Sequence, residues 1–117
     1  MPKKILIIDD DPVIVKYLMA VFSDNGYKTC SAGSTTEGLE VVKNEKPDLI
    51  CLDLQMPGEW GPRFYRKLQL QKEFKKIPVI VISGLSGNKY AIPKAIASLT
   101  KPFDRDELLK IVKDAIG

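Results

Sequence analysis

The chain has 117 residues, 44% of them hydrophobic and 28% charged, proportions typical of one globular domain. Its formal net charge of +3 is too small to indicate a nucleic-acid partner. Because the sequence contains no histidine, it excludes histidine-dependent triads, histidine metal ligands and histidine phosphocarriers. Any chemistry must therefore use carboxylates, hydroxyls, lysine or the backbone.

Short apolar runs alternate along the chain with segments of helical period. The runs predict five strands, at Ile5 to Ile8, Tyr27 to Ala32, Leu49 to Leu54, Val79 to Ile82 and Ala97 to Thr100. Helix starts follow most of them and are marked by capping residues or proline, at Asp11-Pro12, Ser34, Gly61-Pro62 and Asp104. Repeated strand and helix units predict an open parallel sheet with helices on both faces.

Two further features concern the surface and the compartment. The densest basic stretch, Arg66 to Lys76, is interrupted by glutamine, leucine and Glu73, and we interpret it as a solvated helix face. Cys30 and Cys51 have neither metal-binding nor disulfide-framework spacing, which indicates free thiols. No apolar stretch approaches the roughly 18 residues of a membrane span, so we expect a cytoplasmic protein without membrane insertion.

Polar residues follow the predicted strands. Asp9 and Asp10 end the first strand, Asp53 lies near the end of the third, Ser83 ends the fourth and Lys101 follows the fifth. With the strand order 2-1-3-4-5, all of them meet at one edge of the sheet. Three neighbouring carboxylates repel one another, so a stable ionised cluster calls for a cation, and oxygen ligands favour Mg²⁺.

Each of these motifs alone also has a simpler interpretation. An acidic pair after a strand is often a helix cap and a solvated loop, an aspartate at a strand end is often a turn former, and a single Lys-Pro is uninformative. Together, however, the segments "IIDDDP", "LDLQMPG", "VIS" and "TKPF" resemble the receiver domain of two-component response regulators over the whole chain. The 30 residues from Asp53 to Ser83 match the usual interval in that family.

The resemblance implies a flavodoxin-like fold, similar to single-domain chemotaxis regulators, with residues 1 to 117 forming one receiver domain. It implies that Asp53 accepts a phosphoryl group from the phosphohistidine of a sensor kinase or phosphotransfer protein. Asp10 would bind Mg²⁺ directly, Asp9 mainly through water, and Gln55 through its backbone carbonyl. The domain would be a phosphorylation-dependent switch that acts on a downstream effector, without binding nucleic acid itself.

The resemblance also assigns the remaining site positions. Ser83 would hydrogen-bond the phosphoryl group, Lys101 would pair with it, and Pro102 matches a position that follows a cis peptide bond. Asp11 matches a further acidic position, where capping of the first helix is the better interpretation. The domain would be no enzyme beyond its own phosphoryl transfer and dephosphorylation.

Three positions separate this chain from typical receivers. Leu85, two residues after the hydroxyl position, cannot orient a water and predicts slow self-dephosphorylation. Ser98 stands where many receivers carry an aromatic switch residue. Only 18 residues separate Ser83 from Lys101, a few fewer than usual, so the fourth helix is expected to be short or irregular. We expect the segment from Gly84 to Pro93 to carry the signal.

Two other functions share part of this pattern. A Mg²⁺-dependent phosphatase of the haloacid dehalogenase type also uses an aspartate nucleophile and an Asp-x-Asp pair, a spacing that Asp9 and Asp11 have. Such enzymes usually need a longer chain and an acid where this one has Gln55. A scaffold that has lost phosphorylation is disfavoured, because all five site positions are retained.

Overall fold

The computed structural model of the chain describes residues 2–54, 61–84, 92 and 94–117, without the side chains of residues 61 and 62. The strands are β1 (Lys4–Ile8), β2 (Lys28–Ala32), β3 (Leu49–Leu52), β4 (Val79–Ser83) and β5 (Ala97–Thr100). The helices are α1 (Pro12–Asp24), α2 (Thr35–Glu45), α3 (Gly61–Gln69) and α4 (Arg105–Ile116).

The five strands form one parallel sheet in the order β2-β1-β3-β4-β5, which confirms the predicted fold class. β3 ends at Leu52, two residues before the predicted end at Leu54. Asp53 therefore lies just past the strand rather than within it. In this strand order the chain reverses direction across the sheet between β1 and β3, which is where ligands bind in such folds.

The helix starts follow the capping residues read from the sequence. The Asp11 carboxylate accepts a hydrogen bond from the Val13 amide at 2.9 Å, and Pro12 occupies the first helical position of α1. At α2 the Ser34 hydroxyl accepts from the Glu37 amide at 3.2 Å, and the Glu37 carboxylate accepts from the Gly33 amide at 3.0 Å. The return bond thus reaches one residue beyond the usual capping box.

The core has two layers because both faces of the sheet are covered by helices. In β1, Ile5 and Ile7 face α1 and α4, whereas Leu6 and Ile8 face α2 and α3. The matching helix residues are Leu18, Phe22, Leu108 and Val112 on the first face and Val42, Phe64 and Leu68 on the second. The burial of each large side chain contributes roughly 1.5–3 kcal/mol, which fixes the sheet and hence its polar edge.

One close approach positions α2 against the sheet. A Cβ atom on Gly38 would lie 2.8 Å from Ile8 Cδ1 and 3.3 Å from Phe64 Cε1. A larger residue at position 38 would therefore require the Ile8 and Phe64 side chains to shift within the packed core.

Several predicted features fall outside the described residues. They include most of the segment between β4 and β5, where a short or irregular helix was expected, and the residues Gln55, Trp60 and Leu85. None of the helices that the structure describes is long and apolar enough to cross a bilayer.

Candidate functional site

Backbone hydrogen bonds align the polar residues that follow the strands. The Asp53 amide donates to the Ile8 carbonyl at 2.9 Å, so the pairing of β3 with β1 continues one residue past the strand. In the same way, the Asp9 amide donates to Ala32 at 3.1 Å and the Lys101 amide donates to Ser83 at 2.9 Å. The pattern of the sheet thus brings Asp9, Asp53, Ser83 and Lys101 to one edge.

Three carboxylates converge at this edge. Asp9, Asp10 and Asp53 each offer one oxygen, and these oxygens lie within 4.8 Å of one another. Asp9 and Asp53 are buried, at 4% and 6% exposure, whereas Asp10 is exposed to solvent. The cluster therefore combines two carboxylates in a low-dielectric setting with one that faces the entrance.

Lys101 is the counter-charge of the cluster. Its Nζ lies 2.8 Å from Asp9 Oδ2 and 3.9 Å from Asp53 Oδ2. The other Asp9 oxygen, Oδ1, accepts from the Asp11 amide at 2.9 Å. Both oxygens of Asp9 are therefore engaged, which holds its carboxylate in one orientation. Three carboxylates and one ammonium leave a formal charge of −2, the charge that one divalent cation neutralises.

Two other groups near the cluster differ in their chemistry. The Ser83 hydroxyl is fully buried at the end of β4 and offers a neutral donor and acceptor at the same edge. Cys51, two residues before Asp53 in the chain, is also buried, and this burial raises the pKa of its thiol to about 12. The thiol stays protonated at neutral pH, so it does not compete with the carboxylates as a nucleophile or ligand.

A cavity of about 520 Å³ opens beside the carboxylates. It extends between the start of α1 and the segment after β2, and its lining is Asp9, Asp10, Pro12, Val13, Val15, Lys16, Ser31, Ala32 and Gly33. Asp9 and Asp10 thus lie at the junction of the acidic cluster with a cleft accessible to a partner molecule. Sequence reasoning did not include the cavity, because its lining comes from elements that are distant in the chain.

The structure also describes Pro102 and Ser98, two positions that the resemblance to receiver domains singled out. The Lys101-Pro102 peptide bond is cis, as the resemblance implied. Ser98 lies in β5 opposite Val81 and is half-buried. Gln55 and Leu85 lie outside the described residues, so their expected roles remain predictions.

Comparison with known proteins identifies the family. The sequence profile of the response regulator receiver domain matches residues 5–113. The chain belongs to this family. Receiver domains are the phosphoryl-accepting components of two-component signalling, and they interact with histidine kinases and downstream effectors. The fold and the acidic cluster described above are those that this function requires.

Individual relatives support the assignment. Protein Rrf1 of Nitratidesulfovibrio vulgaris is 36% identical over 117 residues, which are all of this chain and 85% of Rrf1. The transcriptional regulatory protein GlrR of Escherichia coli is 34% identical over 98% of this chain, but the match spans only 26% of GlrR. The crystal structure of the response regulator TrrA from Thermotoga maritima, in complex with Mg²⁺-BeF, has a TM-score of 0.88 and 28% identity, covering 97% of this chain and 99% of TrrA.

Proposed function

We propose that this receiver domain accepts a phosphoryl group on Asp53, with Mg²⁺ bound beside it, and that phosphorylation alters its binding to a partner. The observation that carries the proposal is the position of the Asp53 carboxylate. It is buried at the carboxyl edge of the sheet, within 4.8 Å of two other carboxylates and 3.9 Å from the Lys101 ammonium.

Asp10, Asp53 and Asp9 would hold the metal, together with the backbone carbonyl of Gln55. Asp10 is exposed and suits direct coordination, whereas both oxygens of Asp9 already accept hydrogen bonds, which suits a contact through water. When bound, Mg²⁺ neutralises the carboxylates and the charge that develops on the phosphoryl oxygens. The Mg²⁺-BeF complex of the related TrrA supports this assignment.

In the transfer step, an Asp53 carboxylate oxygen would attack phosphorus in line with the departing nitrogen. The new bond joins the Asp53 oxygen to phosphorus, and the broken bond joins phosphorus to a histidine nitrogen of the donor. The leaving nitrogen keeps the electron pair of the broken bond. The donor imidazole is neutral when one of its two ring nitrogens carries a proton. The donor histidine must lie outside these 117 residues, because they contain none.

Lys101 and Ser83 would hold the transferred group. Asp9 orients the Lys101 ammonium at 2.8 Å, and from that position the ammonium needs only a small movement to reach an oxygen bound to Asp53. The Ser83 hydroxyl would hydrogen-bond another phosphoryl oxygen. Catalysis would then rest on alignment and charge stabilisation, without a general acid or base from this chain.

A phosphatase of the haloacid dehalogenase type is a weaker candidate. Asp11 is the residue that would complete an Asp-x-Asp pair with Asp9. Its carboxylate, however, caps α1 and accepts a hydrogen bond from the Val13 amide. We therefore propose that the domain turns over no added phosphoester, and that its only catalysis is its own phosphorylation and dephosphorylation.

The deciding experiment compares Asp53→Asn with the matched control Asp11→Asn, in which asparagine can still cap α1. Each protein is incubated with Mg²⁺ and phosphoramidate, and its intact mass is measured. Wild type and Asp11→Asn should gain one phosphoryl group, and Asp53→Asn none. Phosphorylation of Asp53→Asn to the wild-type level would contradict the proposal.

The metal assignment is tested separately by titration with Mg²⁺. The chain has a single tryptophan, Trp60, seven positions after Asp53, so we expect saturable and weak binding to change its fluorescence. Asp10→Ala should abolish the response and Asp11→Asn should keep it. An unchanged curve in Asp10→Ala would remove Asp10 from the metal site.

Two finer proposals concern the lifetime of the phosphorylated state and the output. Leu85 has no polar group to orient an attacking water, so dephosphorylation should be slow, and Leu85→Glu should accelerate it.

Because Ser98 lacks an aromatic ring, the signal should pass through residues 84–93. Amide hydrogen exchange should therefore change most between residues 84 and 100 when beryllofluoride is added, and a change confined to the loops bearing Asp10 and Asp53 would contradict this route.

The cellular setting follows from the same proposal. We propose that residues 1 to 117 act as one receiver domain in the cytoplasm, with a sensor kinase or phosphotransfer protein as the donor. The described cysteines, Cys30 and Cys51, are free thiols, which suits a reducing compartment. The half-buried Cys30 and the buried Cys51 are both on strands, where they pack rather than react.

A further inference from the structure

The outer face of α3 carries a continuous basic stripe. Arg63, Arg66, Lys67 and Leu70 are spaced at i, i+3, i+4 and i+7, so they lie along one side of the helix. Leu70 continues the stripe past the last helical residue, because its amide donates to the Lys67 carbonyl at 3.2 Å. The opposite side of the helix carries Phe64 and Leu68, which are buried in the core. The inner face is thus fixed by packing and the outer face is turned to solvent.

These four residues line a surface depression of about 310 Å³. Leu70 is 80% exposed, the highest exposure among the described large hydrophobic residues. A single exposed leucine is ordinary on a protein surface, but this one lies beside three cationic side chains in one concave patch. The patch therefore offers an apolar contact surrounded by positive charge.

Positive charge is concentrated in this part of the chain. Residues 63–76 contain six basic residues and one acid, a formal charge of +5, whereas the whole chain carries +3. The remaining residues therefore sum to −2. Within the ranges that the structure describes, no carboxylate lies within ion-pair distance of Arg63 or Arg66. The charge of these two arginines is therefore turned to solvent.

The arrangement also opposes the stability of α3 itself. Arg63 lies in the first turn of the helix, where the macrodipole disfavours a cation, and α3 contains no acid. Arg63 is spaced at i, i+3 from Arg66 and i, i+4 from Lys67, where like charges repel by about 0.2–0.5 kcal/mol per pair. A solvated helix face ordinarily mixes both signs of charge. A local cost of this kind is typical of a surface shaped by function.

We propose that the stripe of Arg63, Arg66, Lys67 and Leu70 binds an acidic amphipathic segment of a partner protein. Carboxylates at i, i+3 and i+4 on a helical partner would pair with the cations, and one apolar side chain would pack on Leu70. The surface is separate from the acidic cluster, since none of its residues lines the cavity beside Asp9 and Asp10. It goes beyond phosphoryl acceptance and does not depend on it.

Charge and shape favour an acidic protein over a nucleic acid. The stripe is one short helical face, whereas a phosphate backbone would need a longer track of cations together with aromatic residues for stacking. The exposed leucine has no function against a phosphate backbone. It has one against an amphipathic helix, whose apolar residues would otherwise remain solvated.

The test measures binding by fluorescence anisotropy with the unphosphorylated protein. The probe is a labelled helical peptide with glutamates on one face and a single leucine among them. Wild type should bind it saturably, with weaker binding as salt increases. Arg63→Glu/Arg66→Glu should weaken binding about tenfold or more, and Leu70→Ser about threefold. The matched control, Lys43→Glu/Lys110→Glu, makes the same change in net charge on exposed residues of α2 and α4 and should bind as wild type does.

Three results would overturn the proposal. The first is no saturable binding of the peptide by wild type. The second is equal weakening by the two double variants, which would show attraction to net charge alone. The third is tighter binding of a single-stranded oligonucleotide of equal charge, lost in Arg63→Glu/Arg66→Glu, which would make the partner a nucleic acid. Circular dichroism of each variant confirms that its helices are intact.

Discussion

The two ends of the parallel sheet carry similar ion pairs in different surroundings. At the carboxyl end, Lys101 lies 2.8 Å from Asp9, and their side chains are 22% and 5% exposed. At the amino end, Lys4 lies 2.9 Å from Glu45, with 29% and 46% exposure. The distances are nearly equal, so burial of the carboxylate is the main difference. A buried carboxylate depends on its partner, whereas an exposed one is stabilised by water.

The neighbours of each pair reinforce the difference. Asp9 shares its surroundings with Asp10 and Asp53, so Lys101 offsets repulsion among three carboxylates. Lys4 pairs with the single exposed carboxylate of Glu45. The hydrogen bond from its ammonium to Glu45 raises the pKa of Lys4, which is partly exposed to solvent. One end of the sheet thus concentrates negative charge that a bound cation would neutralise. The other end is simply a stable edge.

The largest expected effect is on Lys101. Lys101→Met should lower the free energy of unfolding by about 3 kcal/mol in urea without Mg²⁺, because it removes the ammonium that lies 2.8 Å from the buried Asp9 carboxylate. Lys4→Met is the matched control and should change stability only slightly. Lys101→Met should also retain beryllofluoride poorly, which Lys4→Met should not. Equal losses of stability in the two variants would refute the contrast between the ends.

The second prediction concerns the centre of the sheet, between its two ends. Burial raises the pKa of the Cys51 thiol to about 12, from its ordinary value of 9.0 in the unfolded chain. The folded state therefore binds the proton more tightly. Its stability contribution is complete below about pH 9 and is lost as the pH rises toward 12. At pH 10.5 the loss should be about 2 kcal/mol relative to pH 8.

The informative quantity is the slope of the unfolding free energy against pH, rather than the stability at one pH. Cys51→Ala should remove most of the slope between pH 8 and 10.5 in urea unfolding. Cys30→Ala should remove less, because Cys30 is only half-buried, although burial raises the pKa of that thiol too. If both variants keep the wild-type slope, the alkaline loss comes from groups other than these two thiols.

The third prediction tests whether only the carboxyl end responds to metal. At about ten times its Kd, Mg²⁺ should raise the free energy of unfolding by about 1.4 kcal/mol. Asp10→Ala should abolish this increase, whereas Glu45→Ala, at the other end, should keep it. Stabilisation by Mg²⁺ that persists in Asp10→Ala would mean that the ion binds elsewhere or requires only the two buried carboxylates.

Much of this contrast was accessible from the sequence, for definite reasons. Continuous aliphatic runs predicted β1, β3 and β4, because both faces of these central strands are covered, whereas the edge strands β2 and β5 are partly exposed and have weaker patterns. Asp11 and Ser34 marked helix starts because capping is local. The convergence of Asp9, Asp10 and Asp53 followed from strand order alone. The end of β3 was predicted two residues late, because Asp53 and Leu54 stay buried beyond Leu52 and the Asp53 amide still pairs with the Ile8 carbonyl.

What the sequence did not predict depends on side-chain placement across the fold. Lys101 was assigned to the phosphoryl group, but nothing in a Lys-Pro dipeptide indicates that its ammonium contacts Asp9, 92 residues away in the chain. The stripe on α3 was interpreted as a solvated face, since the spacing of its cations does not reveal that they share a depression with an exposed leucine. Such features are set by which elements pack together.

The smallest expected effect sharpens the comparison, because it concerns a cation near the carboxyl end that is not part of the acidic cluster. Arg63 is in the first turn of α3, where the helix dipole disfavours positive charge, and Arg66 is in the last turn, where the dipole favours it. Arg63→Glu should therefore raise the free energy of unfolding by about 0.5 kcal/mol, and Arg66→Glu should lower it by a similar amount. The two variants make the same change in net charge. Thermal or urea unfolding at low salt therefore shows how the position of the charge along the helix affects stability.

If both variants lower stability, Arg63 belongs to the structural charges of the carboxyl end, as Lys101 does. If Arg63→Glu stabilises the fold and also weakens binding of the acidic peptide, Arg63 destabilises the helix and strengthens binding. That combination is expected of a residue retained for binding.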